Sequence, residues 1–476
     1  MTKEELLARL NDIEWNDFEV KEASGGLPKS MWETVSAFSN TTGGWIILGV
    51  KEKKRDNGSE FIINGVQNSE QMEQDIVTTL RSRTKFNAPI SCNVTKYKIE
   101  NKDILAFEIP LSPHRPIAIK SNGEVYIRTG SGDTLATDLE IDAIVRDASF
   151  GAKSEMEVPG SDFKDINLDS IASYRSFLRD FNRPLSFPTL NEKDFCRKLN
   201  IVLSSGKLSY GSLLMFGKRE SVLNTLPNFW IDYMEIPGDS YATASQRYTY
   251  RMPEQENIWE SFQLIMHRLR NFVDAPYMEG PDIFGIEDNS QLFCLREGLV
   301  NFCAHSDYFA SAHPTIRVFN DRIVMQNPGR FILAADEFRS RILSMPRNPS
   351  IIRLFRHPKL SENAGYGIDK ILGWQRLTGK TVTFESDMLI STVTYPLSKT
   401  KNSRNIGENN GKNGENSDEN KVLEIIRITP NITQPQIAAQ TNFSTRKVNR
   451  IISSLRGKEK ITRIGRTKGG HWEIND

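Results

Sequence analysis

Cysteine is scarce in this 476-residue chain. There are four, Cys92, Cys196, Cys294 and Cys303, and no two stand as a Cys-x-x-Cys pair. Scattered thiols exclude a disulfide scaffold and a thiolate zinc site. Long apolar runs are lacking too: no stretch approaches the ~18 apolar residues of a membrane-spanning helix, so no membrane partner is expected. The opening residues, MTKEELLARLNDIEWNDFEVKEA, are acidic and amphipathic. Without an apolar core segment they do not read as a signal peptide, and the chain reads as cytoplasmic. Net charge is almost absent, since 61 Lys and Arg against 60 Asp and Glu leave +1. Any contact with a polyanion must therefore come from local basic patches. Gly-x4-Gly-Lys-Ser/Thr does not occur, which excludes a Walker-type phosphate loop, and there are no internal repeats.

What is present suggests about three folding units at roughly 150 residues per domain. In the first, residues 1–150, Leu6, Leu7 and Leu10 share one face of a short helix over 3–11. Phe18–Lys21 reads as extended. Lys29–Ser39 reads as a helix with Met31, Val35 and Phe38 inward. The tight turn Asn40-Thr41-Thr42-Gly43-Gly44 follows, then Trp45–Val50, an apolar run of strand length buried on both faces. Ile104–Ile109 and Glu124–Arg128 are further strands.

Residues 151–398 read as a second α/β block. It holds a helix at Ile171–Phe181, a strand pair at Leu213–Phe216 and Trp230–Glu235, a long helix at Ile258–Phe272 and another at Gln291–Ala304. Strands Thr315–Phe319 and Arg322–Gln326 follow, joined by the hairpin turn Asn320-Asp321. Residues 399–420 are nearly free of apolar side chains. Such a segment cannot bury enough surface to offset its ordering entropy and reads as a flexible linker.

In residues 421–476 periodicity returns. Helices are expected at Lys421–Arg427, Gln434–Gln440 (capped by Thr433) and Thr445–Leu455 (capped by Ser444), then strands at Ile461–Gly465 and His471–Ile474. Three helices followed by a β-ribbon is the layout of a winged helix-turn-helix. Its third helix would turn Thr445, Arg446, Lys447, Asn449 and Arg450 toward DNA and Val448, Ile451, Ile452 and Leu455 toward the core. Arg463, Arg466 and Lys468 on the ribbon would reach phosphates. This segment holds 11 basic and 4 acidic side chains, a net of +7, which is a polyanion footprint. The competing reading is a protein-docking winged helix with a solvated basic face. A single winged helix gains site specificity by dimerising, so a homo-oligomer is expected.

The ordered series Glu14…Glu19-Val20-Lys21, Ala37-Phe38-Ser39-Asn40-Thr41-Thr42-Gly43-Gly44, Gly49-Val50, Arg115-Pro116 and Tyr126-Ile127-Arg128-Thr129-Gly130 resembles the Schlafen/AlbA-like domain (AlbA-2, divergent AAA-4) over about residues 10–150. Trp15, Val20 and Ser39 depart from its usual Ser, Phe and Ala. The resemblance implies nucleic-acid binding, to DNA or RNA. Some members are metal-dependent nucleases, so Glu14, Glu19 and a third acid, Glu52, would hold Mg²⁺ or Mn²⁺, and Lys21 would offset charge on the scissile phosphate. The bland alternative is a structural ion pair between these acids and Lys21. Lys51, Lys53, Lys54 and Arg55 read as a basic loop that holds phosphate beside that site.

In the middle block, Glu297 and Asn301 share one helical face. Together with Asn327-Pro328-Gly329 and Gly365-x-Gly367 they resemble the GHKL-type ATPase-like region of RecG-related proteins. The resemblance implies that Glu297 and Asn301 hold a catalytic water and Mg²⁺, and that Gly329, Gly365 and Gly367 let ATP pass close to the backbone. Asn327 stands where the adenine box has Asp, and Ser306 replaces Arg in the segment ending His305-Ser306-Asp307-Tyr308. The fold class expected is α/β (α+β) multidomain. The leading function is a DNA-binding transcriptional regulator with a nucleotide-sensing or degenerate ATPase-like domain. The alternatives are a metal-dependent nuclease of RNA or DNA with a defensive role, and an interaction scaffold.

Overall fold

The computed structural model describes residues 1–10, 17–55, 58–273, 291–332, 345–361, 367–397, 422–423, 425–426, 432–441, 445–458, 460–464 and 471–474. The chain forms two compact units. One comprises Met1–Met234, Arg251–Val318 and Arg322–Pro396; the other comprises Glu235–Tyr250, Phe319–Asp321 and Leu397–Asp476. Among the described residues no helix is long and apolar enough to cross a membrane.

The first unit opens with α1 (Lys3–Leu10), β1 (Phe18–Lys21), α2 (Ser30–Asn40), β2 (Gly44–Leu48), β3 (Val50–Arg55), β4 (Gly58–Ile63), α3 (Ser69–Arg81), β5 (Asn93–Ile99), β6 (Lys102–Ile109), β7 (Tyr126–Thr129), β8 (Gly132–Leu135) and α4 (Asp138–Ala148). Four strands make a sheet in the order β1-β2-β6-β5, with β1 parallel to β2 and β2 antiparallel to β6. The period-two alternation of strand side chains explains the unbroken apolar run. Ile46, Leu48, Leu105, Phe107 and Ile109 pack with Phe38 and Phe86 on one face. Ile47, Ile104 and Ala106 pack with Leu6 and Val50 on the other. Both faces are thus covered. Lys51 to Arg55, expected as a loop, lie instead on β3, which pairs antiparallel with β4; an all-charged run carries no apolar signal of a strand. α4 begins at a reciprocal cap, in which Thr137 and Glu140 each bond the other's backbone N–H, satisfying two donors that helix geometry leaves open.

The same unit continues through α5 (Leu168–Phe181), α6 (Glu192–Lys198), α7 (Tyr210–Phe216), α8 (Arg219–Thr225), β9 (Asp232–Glu235), β10 (Tyr250–Arg251), α9 (Ile258–Leu269), α10 (Gln291–His305), β11 (Thr315–Val318), β12 (Arg322–Pro328), α11 (Pro349–Arg356), α12 (Gly367–Thr378), β13 (Thr383–Ser386) and β14 (Ile390–Pro396). The sheet order is β10-β9-β11-β12-β14-β13. Leu213–Phe216, expected as a strand, is the end of helix α7. Ser209 caps it by accepting from the Ser212 N–H at 3.1 Å, and Gly211 through Phe216 are buried on every side. A helix buried all round has no amphipathic period, so a short apolar run there cannot be told from a buried strand. Tyr174, Phe216, Trp259, Phe262 and Phe355 form an aromatic core beside it.

In the second unit, α13 (Gln434–Thr441) and α14 (Thr445–Gly457) precede a ribbon of β15 (Ile461–Ile464) antiparallel to β16 (His471–Ile474). Val422 and Ile426 pack with Ile437, Val448, Ile451, Ile452, Leu455, Ile461 and Trp472. Gln436 reaches back to accept from both the N–H and the hydroxyl of Thr433 at the start of α13. The expected linker 399–420 and the cap Ser444 lie outside the described residues.

Candidate functional site

Three places carry the candidate residues. At the first, Asn40 ends α2 fully buried. Its amide donates to the carbonyls of Ile117 and Tyr126, each at 3.0 Å, and its Oδ1 accepts from the Ile117 N–H at 2.7 Å. Thr41 Oγ1 accepts from the Arg128 N–H at 2.9 Å. Gly43 turns with φ +80°, and a Cβ there would stand 2.9 Å from the Ile109 carbonyl oxygen. The Asn-Thr-Gly-Gly turn therefore fastens β7 across the end of α2.

That placement brings Arg128 over the Phe38 ring and against Glu19. Glu19 Oε2 lies 2.9 Å from Arg128 Nη2, and its Oε1 lies 2.7 Å from Lys21 Nζ. Arg128 Nη1 pairs with Asp133 at 2.9 Å, and Thr34 donates to the same carboxylate. Both oxygens of Glu19 are thus engaged within a chain of alternating charges. Arg128 was not singled out from the sequence as Glu19's partner, because the two lie more than a hundred positions apart. Glu14 lies outside the described residues. Glu52 is exposed on β3, as is Lys53, and Lys51 pairs with Glu22 at 2.9 Å; the side chains of Lys54 and Arg55 are not described. Among the described residues, no three His, Cys, Asp or Glu side chains stand together as a metal site.

The second place is a cavity beside α10, lined by Glu297, Asn301, His305, Asn327, Ser361, Gly367 and Tyr395, with apolar walls from Phe302, Met325, Phe331, Ile352, Ile371 and Val393. Glu297 Oε1 accepts from Asn301 Nδ2 at 3.1 Å and from Ser361 Oγ at 3.3 Å. Burial pushes its carboxyl above the usual carboxylate range, against the pull of Lys370 and Arg296. A Cβ on Gly367 would come within 2.7 Å of Glu297 Oε1, so the start of α12 touches this pair because it lacks a side chain. Asn327 donates to the Phe302 carbonyl at 2.8 Å. Among the described residues, Glu297 Oε2, Asn327 Oδ1 and the Tyr395 hydroxyl are buried and find no hydrogen-bond partner. Three such atoms in one cavity call for a polar ligand or ordered water. Gly329 bends away with φ +89°. Gly365 lies outside the described residues.

The third place is α14. Asn449 and Arg450 are exposed, opposite buried Val448, Ile451, Ile452 and Leu455. Arg463 on β15 is partly buried and lies over the Trp472 ring at 4.7 Å. The side chains of Thr445, Arg446 and Lys447 are not described, and Arg466 and Lys468 lie outside the described residues.

Residues 14–137 match the family described as Schlafen, AlbA_2. The chain carries a Schlafen, AlbA_2 domain. That match spans the turn at Asn40 and the Glu19–Arg128 pair. Residues 311–387 match the family described as "Putative ATP-dependent DNA helicase recG C-terminal". Asn327, Gly329 and Gly367 fall inside this second match, whereas Glu297 and Asn301 precede it. Residues 142–232 match a domain of unknown function. The domain content is that of a nucleic-acid-related protein. Among solved structures, the chain is similar to the DIP2311 protein from Corynebacterium diphtheriae at 14% identity and TM-score 0.41, covering 97% of this chain and 95% of that one. It is also similar to the N-terminal domain of a RecG-related protein from Nitrosomonas europaea at 27% identity and TM-score 0.23, covering 28% of this chain and 92% of that one. No curated protein matches the chain.

Proposed function

We propose that this chain is a DNA-binding regulator in which the Schlafen, AlbA_2 domain supplies a second nucleic-acid surface and the α10 cavity senses a nucleotide. The observation that carries the DNA-binding reading is the split of α14, with Asn449 and Arg450 outward and an apolar stripe inward. A helix packed on its own core, offering an amide and a guanidinium to solvent in a segment of net charge +7, has the chemistry to enter a major groove. In this reading the β15–β16 ribbon that follows it is the wing of a winged helix.

The nucleotide reading rests on the three buried polar atoms of the cavity. Glu297 Oε2 and Asn327 Oδ1 could accept hydrogen bonds from a ligand, and the Tyr395 hydroxyl could donate one. The apolar walls suit a flat ring. Glu297 and Asn301 are the residues that would hold Mg²⁺ or orient a water. A bound Mg²⁺ would neutralise phosphate charge, and Glu297 would hold it as the ionised carboxylate.

The test is retention of duplex DNA and of RNA by the full chain across a salt series, with Mn²⁺, Mg²⁺ or EDTA, beside a chain lacking 421–476. Salt-dependent DNA binding that falls on deletion supports the proposal. Unchanged binding after deletion, or none, sinks it. Metal-dependent cleavage lost in Glu14→Ala/Glu19→Ala would replace it with a nuclease.

A further inference from the structure

We infer that Arg330 couples occupancy of the α10 cavity to the Asn-Thr-Gly-Gly turn of the Schlafen, AlbA_2 domain, so that a nucleotide in the cavity alters that domain's grip on nucleic acid. The inference rests on the reading that the cavity takes a nucleotide.

The geometry begins with one short segment. Asn327, Phe331 and Ile332 line the cavity. Arg330 lies between them and points the other way. Its Nε meets Asp147 Oδ2 at 2.9 Å, and its Nη1 donates to the Thr41 carbonyl. Thr41 in turn accepts from the Arg128 N–H through Oγ1, and Arg128 holds Glu19. The wall of the cavity is thus joined to Glu19 through Arg330, Thr41 and Arg128. Arg330, Asp147 and Arg128 are all less than a tenth exposed, so water does not dilute the connection.

The segment also lacks room to absorb a displacement. Gly329 is held by its N–H to the Leu389 carbonyl at 2.7 Å. A Cβ there would stand 2.8 Å from the Arg347 guanidinium, and Arg347 grips the other oxygen of Asp147 at 2.7 Å. A ligand that draws Asn327 or Phe331 inward must therefore pull on Arg330. Asp147 would keep Arg347 if Arg330 let go, so the cluster has two workable arrangements, with Arg330 engaged or withdrawn. An element with two arrangements, biased from two sites, is what coupling requires.

The experiment uses the full chain and MgATP as the probe. Calorimetry reads ATP binding, anisotropy of a labelled duplex DNA reads nucleic-acid affinity, and hydrogen exchange at residues 41–45 and 126–129 reads the turn itself. MgATP should bind, shift DNA affinity by about fivefold or more and change exchange at both segments. Arg330→Lys keeps a cation for Asp147 but cannot span both Asp147 and Thr41. Thr41→Ala breaks the connection from the other side and leaves the ion pairs intact. Both variants should keep the ATP affinity and lose the shift. ATP binding in the wild type without any shift, or a full shift in both variants, would overturn the coupling alone. Absence of ATP binding would overturn the cavity reading and the coupling with it.

Discussion

Replacing Asp147 with Ala should cost the first unit about 3–5 kcal/mol, the range expected when a buried ion pair loses one partner. Asp147 is 3% exposed and pairs with Arg330 at 2.9 Å and Arg347 at 2.7 Å, both guanidinium groups being almost as buried. At an effective dielectric of about 20, each pair attracts by roughly 4 kcal/mol, and desolvation of the three ions takes back much of the sum. The variant loses that attraction and leaves two buried cations facing each other. Urea unfolding read by tryptophan fluorescence is suited to the measurement, since all seven tryptophans except Trp472 belong to the first unit. The acid limb gives a second readout. Burial pushes the Asp147 carboxyl up, but Arg347 and Arg330 outweigh it and hold it below the usual range. Its stabilisation is therefore present above the unfolded value, about pH 4, and lost as pH falls through the folded value. Asp147→Ala should flatten that limb. A loss under about 1 kcal/mol, or an unchanged acid limb, would refute the claim that the buried triad stabilises this unit.

Other outcomes follow from the same geometry. Asn40→Leu deletes four side-chain hydrogen bonds and should lower the urea midpoint by the equivalent of about 3 kcal/mol. Gly298→Ala would place a methyl 2.1 Å from the Tyr395 hydroxyl; about 1–3 kcal/mol of overpacking is expected, with weakened ATP binding by calorimetry. Burial and then Arg347 push His305 down to about 4 from 6.5. Its contribution is complete above pH 6.5 and fades as pH falls toward 4, so His305→Gln should remove part of the stability slope in that window. Arg450→Ala should weaken DNA binding and reduce the slope of log affinity against log salt by about 1, measured by anisotropy titrations.

Much of the N-terminal domain was legible because its signals are local. Gly43 must take a positive φ beside the Ile109 carbonyl, and Trp45–Val50 is apolar on successive positions because the sheet is covered on both sides. The C-terminal helices were legible from a 3.6-residue period. Leu213–Phe216 was misread because burial on all sides erases that period. The ion-pair triad was illegible for another reason: Asp147 lies 183 positions before Arg330 and still further before Arg347, and nothing near it marks the two arginines as its partners. The cavity was half legible. Spacing put Glu297 and Asn301 on one face, while Tyr395, near the end of the distant interior strand β14, carried no motif.

The helix that supplies Asp147, α4, lies just beyond the last residue of the Schlafen, AlbA_2 match. Its carboxylate belongs to one stretch of chain and its two arginine partners to another. A gene fusion or truncation cut at the family boundary would leave those arginines with an empty seat, and a transplanted N-terminal domain would arrive without its anchor. The smallest portable piece of this protein is therefore set by an electrostatic seam, and it is larger than the domain that sequence comparison recognises.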